Sequence, residues 1–100
     1  MAPALTMEST LQEVRDYLAA QPAENWTIFD RHWGVRSCGL GHIENGLQQE
    51  PFLKNGVQAK DLIHKLGIKC SEFTSTNDRN PHDPRTAILN LLDNKLKTTA

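Results

Sequence analysis

The stretch Lys69 to Asp83, KCSEFTSTNDRNPHD, decides how the chain is to be read, because it stands between two well-marked helical segments and carries one large apolar side chain, Phe73. Its remaining residues are polar or turn-forming, and Ser, Thr, Asn and Asp side chains compete with the helical backbone for hydrogen bonds. The expectation is a long polar loop over 69–83. Loops of that length in small domains are usually either functional or disordered, so a working surface is expected beside it.

The segment that follows is the clearest helix in the chain. Asp83 stands at the N-cap and Pro84 at the first helical position, and Ala87, Ile88, Leu91, Leu92 and Leu96 fall on one face. Lys95 and Lys97 lie near the negative end of the helix dipole. Before the stretch, Val57, Leu62, Ile63 and Leu66 mark a helix that ends at Gly67, with Ile68 placed for the apolar contact that accompanies such ends.

Further upstream, Thr10 and Glu13 have capping-box spacing, and Leu11, Val14 and Leu18 with Tyr17 form a stripe, which predicts a helix over 10–20 closed by Pro22. Trp26, Phe29 and Trp33 repeat helical spacing and predict a short helix over 24–33 ended by Gly34. A short β-hairpin near residues 26–38 is the competing local reading, since Trp, Thr, Ile and Phe also favour strands. Ser37 is placed to cap a third helix, with Leu40, Ile43 and Leu47 inward, although Gly39, Gly41 and Gly46 weaken it by about 1 kcal/mol each. Residues 1–6 read as a frayed tail.

These segments predict one all-α domain of about five short helices spanning residues 1–100. A chain of 100 residues with 38% hydrophobic and 23% charged residues suits one modest core. No run approaches a membrane span, and the N-terminus lacks the basic start and apolar stretch of a secretion signal. Only Cys38 and Cys70 are present, which with the missing signal points to a reduced, cytoplasmic setting. Net charge is −1, yet residues 1–50 hold seven acids against three Lys/Arg, while 51–100 hold five against eight.

Three functional readings compete. The first is non-covalent docking of another protein by a small adaptor, inhibitor or regulator, with Phe73 as aromatic anchor and Arg79, His82, Lys65 and Lys69 around it. The second is DNA binding through residues 57–79, where AKDLIHKLGIKCSEF resembles the first helix and turn of a helix-turn-helix, with Lys60, Lys65, Lys69 and Arg79 available to phosphates. Against it, SEFTSTND lacks the periodicity of a recognition helix. The third places chemistry at Cys38 and His42, four apart on one helical face, where an imidazole and a helix N-terminus would lower the thiol pKa. Adding His32 and Cys70 makes a nominal zinc set, but gaps of five, three and twenty-seven residues do not suit a structural site. Phosphate-loop and nucleophile-elbow motifs are missing, so the expectation is a non-enzymatic protein with no cofactor.

Overall fold

The computed structural model describes residues 4–28, 32–33, 36–48 and 57–99. Among these residues it forms five α-helices: α1 (Leu11–Ala19), α2 (Gly39–Gly46), α3 (Val57–Lys65), α4 (Cys70–Asp78) and α5 (Pro84–Thr99). The small, predominantly helical domain expected from the periodicities is what is found.

Helix α1 opens with the expected capping box: the Thr10 hydroxyl accepts from the Glu13 amide at 3.1 Å and the Glu13 carboxylate accepts from the Thr10 amide at 3.0 Å. Leu11, Val14 and Leu18 are buried, so the anticipated stripe is the one that packs. Helix α5 opens on Asp83, whose carboxylate accepts from the Thr86 amide at 3.1 Å. Both acids are fully exposed and are held below the usual carboxylate range, Glu13 by its bonds with Thr10 and Asp83 by those with Thr86. A folded-state pKa below the unfolded one stabilises above the unfolded value and ceases to do so as pH falls through the folded one. The N-terminal turns of α1 and α5 should therefore fray together in strong acid, read as a loss of helical circular dichroism that Glu13→Gln and Asp83→Asn variants already show in part at neutral pH.

Among the described residues of 24–33 the expected helix is not formed. A 3-10 turn spans Ala23–Asn25, after which Trp26 bridges to Ser37 and the Thr27 amide donates to the Ser37 carbonyl at 3.0 Å. His32–Trp33 and Arg36–Ser37, here β1 and β2, pair antiparallel over two residues each. Aromatic and β-branched residues at 26–28 suit the extended backbone, and burying Trp26 there outweighs the weak helical stripe. Phe29, Gly34 and Val35 lie outside the described residues.

Helix α2 starts one residue later than a Ser37 cap implies, with Cys38 as its N-cap. It runs through the centre, against α1, α3, α4 and α5. Glycine at its first position has a packing reason: a β-carbon on Gly39 would stand 2.9 Å from Cε1 of Phe73.

Helix α3 ends in a paired cap. The Ile68 amide donates to the Ile63 carbonyl at 3.1 Å and the Gly67 amide to the His64 carbonyl at 3.0 Å, with Gly67 left-handed at φ 86° and Ile68 buried, as the Gly-Ile pair implied. Among the described residues nothing lies within 4 Å of where a Gly67 β-carbon would sit. Gly67→Ala should thus cost only the left-handed backbone, about 1–2 kcal/mol, with Gly67→Asn costing less; equal denaturation midpoints for all three would remove this account.

The 69–83 loop is the main correction. Residues Cys70–Asp78 are helix α4, which leaves only its N-cap Lys69 and the short turn before α5 outside it. Phe73 and Asn77, one turn apart, both face inward at 1% exposure. The Thr74 hydroxyl donates back to the Cys70 carbonyl of its own helix at 3.0 Å, so its polar group is satisfied without leaving the helix. Helix α4 packs chiefly on α5.

The first and last helices are joined directly. Arg15 Nε meets the Asp93 carboxylate at 2.9 Å, and Arg85 donates to the Ala19 carbonyl at 2.6 Å and the Gln21 carbonyl at 3.0 Å, capping the carboxyl end of α1. One apolar cluster unites residues from all five helices.

Candidate functional site

The α3 to α4 connection gathers most of the residues singled out in the sequence. It is a helix, a turn of four residues and a second helix, with Ala59, Leu62, Ile63, Ile68, Phe73 and Asn77 buried along its inner side. The outer side of α4 is polar: Ser71, Glu72, Ser75, Thr76 and Arg79, with Asn80 beyond, line a shallow open concavity of about 400 Å³. Glu72 is drawn toward α5 by Lys95, whose Nζ lies 3.7 Å from its carboxylate.

The five residues expected to make one docking surface do not surround a common anchor. Phe73 is inside the core, on the opposite side of α4 from the concavity. Lys65 and Lys69 are exposed at the N-terminal end of α4, the first ending α3 and the second forming the N-cap. Arg79, the C-cap, and His82, in the following turn, are exposed at the other end, some 13 Å away at the rise of a nine-residue helix. The Lys65 ammonium also donates to the Met7 carbonyl at 2.9 Å, which ties it toward the N-terminal segment. An aromatic anchor ringed by basic residues is therefore not built here, because the one apolar side chain of the stretch was needed for the core.

The Cys38 and His42 pair also lies inside. Cys38 is 8% exposed and His42 3%. Burial pushes the Cys38 thiol up from its ordinary value, and the Gly41 and Leu40 amides at the start of α2 only partly offset it, so the expected lowering is reversed. The His42 ring packs against Trp26 in a tilted contact, with centroids 4.6 Å apart and planes inclined by 48°. Neither cysteine is bridged, and Cys70 stands apart at the start of α4. Among the described residues no three His, Cys, Asp or Glu side chains converge on a point where a metal ion would sit.

One residue that the sequence reading passed over organises this region. The Asn77 side-chain oxygen accepts from the Gly39 amide at 3.0 Å, and its nitrogen donates to the Thr27 carbonyl and the Asp78 carboxylate, each at 3.0 Å. It supplies the N-terminal partner that Cys38 does not give to α2. The signal was present in its position four residues after Phe73 on one helical face, but an asparagine there reads equally well as a helix breaker.

No family model matches the chain, and neither a curated protein nor a solved structure matches it.

Proposed function

We propose that α3, the Gly67 turn and α4 act as a helix-turn-helix-like element that lays the outer face of α4 against duplex DNA. What supports this reading above all is the turn itself: left-handed Gly67 redirects the chain from α3 into α4 within four residues, so apolar groups close inward and hydroxyl, amide and guanidinium groups face out. Ser71, Ser75, Thr76 and Asn80 are side chains of the kind that hydrogen-bond to base edges or phosphates. Lys60, Lys65, Lys69 and Arg79 are the cations of this unit that would meet phosphates.

Four phosphate contacts predict that log affinity falls with log salt at a slope of about −3 to −4. Arg79→Ala should lower that slope by about 1 while leaving the fold intact, because Arg79 is exposed. The check is fluorescence anisotropy on a short duplex across a salt series. No binding at low salt, or a slope unchanged by Arg79→Ala, would overturn the proposal.

A protein partner remains a second reading, favoured by the mixed charge of the same face, where Glu72 lines the concavity with Arg79 and would repel a phosphate chain. Here the protein would serve as an adaptor, inhibitor or regulator that docks through polar contacts at α4 rather than through Phe73. It predicts a shallow salt dependence and capture of a protein that Arg79→Ala releases. Either role suits a reduced cytoplasmic setting, which the unbridged Cys38 and Cys70 support. Among the described residues no helix is long and apolar enough to cross a membrane.

A further inference from the structure

We draw no further inference here: the strongest candidate, the buried group at the start of α2 where Cys38 and the His42–Trp26 ring contact lie close in the chain to the Asn77 contact with Gly39, rests on a lone cysteine at a helix N-terminus, and no second observation there points to a ligand.

Discussion

Phe73→Ala is expected to cost about 3–5 kcal/mol of stability, a large part of what a domain of this size possesses. The ring is 1% exposed and belongs to the central cluster, and a β-carbon on Gly39 would stand within 3.0 Å of its Cε1 and Cζ atoms, so no slack at the start of α2 would let the cavity close cheaply. Urea denaturation measures the loss. The outcome separates two pictures of the 69–83 region. If Phe73 were a surface anchor, the variant would keep its midpoint and lose only a partner; as a core residue it loses the midpoint first. A variant within 1 kcal/mol of the wild type would refute the placement of α4 described above.

The second large effect falls on Asn77. Truncation to alanine leaves the Gly39 N–H and the Thr27 C=O without their side-chain partner, and a buried polar group stranded in this way costs about 1–3 kcal/mol. A total loss of roughly 2–5 kcal/mol is expected, since both groups are affected and some water will enter. Asn77→Asp keeps the acceptor for Gly39 but sets a carboxylate against the Thr27 carbonyl and the Asp78 side chain, so it should not rescue. Amide hydrogen exchange gives a local readout: in Asn77→Ala the Gly39 amide should exchange faster by more than global destabilisation accounts for. Unchanged relative protection at Gly39 would show that the bond is not the one holding α2 to α4.

Much of the architecture was legible in single-sequence patterns. The capping box at Thr10 and Glu13, the Gly67-Ile68 end of α3 and the Asp83-Pro84 start of α5 all read correctly, because caps are local and their side chains bond within four residues. The tail expected over 1–6 is instead anchored at Leu5, which is buried in the core with its amide donating to the Gly46 carbonyl at 2.9 Å. Two other failures share one physical source. At 24–33 and at 69–83 the backbone state is settled by partners far along the chain: Ser37 for Trp26 and Thr27, and Gly39 and Thr27 for Asn77. Local propensity favours helix weakly in the first case and opposes it in the second, and tertiary burial reverses both. The candidate site was legible only in part. Lys65, Lys69, Arg79 and His82 are exposed as surface roles require, whereas Phe73 shows that an isolated aromatic amid polar residues marks an inward face as readily as an outward one.

The guanidinium of Arg85 on the carbonyls of Ala19 and Gln21, together with the Arg15–Asp93 contact, bears on the order in which the molecule assembles. These links close loops of more than sixty residues, the slow and entropically costly kind, and they bring the first and last of the five described helices to rest on each other. A nascent chain emerging N-terminus first holds α1 without the Arg85 contact to its Ala19 carbonyl until the first turn of α5 has been synthesised, and without the Arg15–Asp93 contact until the middle of α5 follows. The seam between α1 and α5 should accordingly be among the last parts of this domain to close.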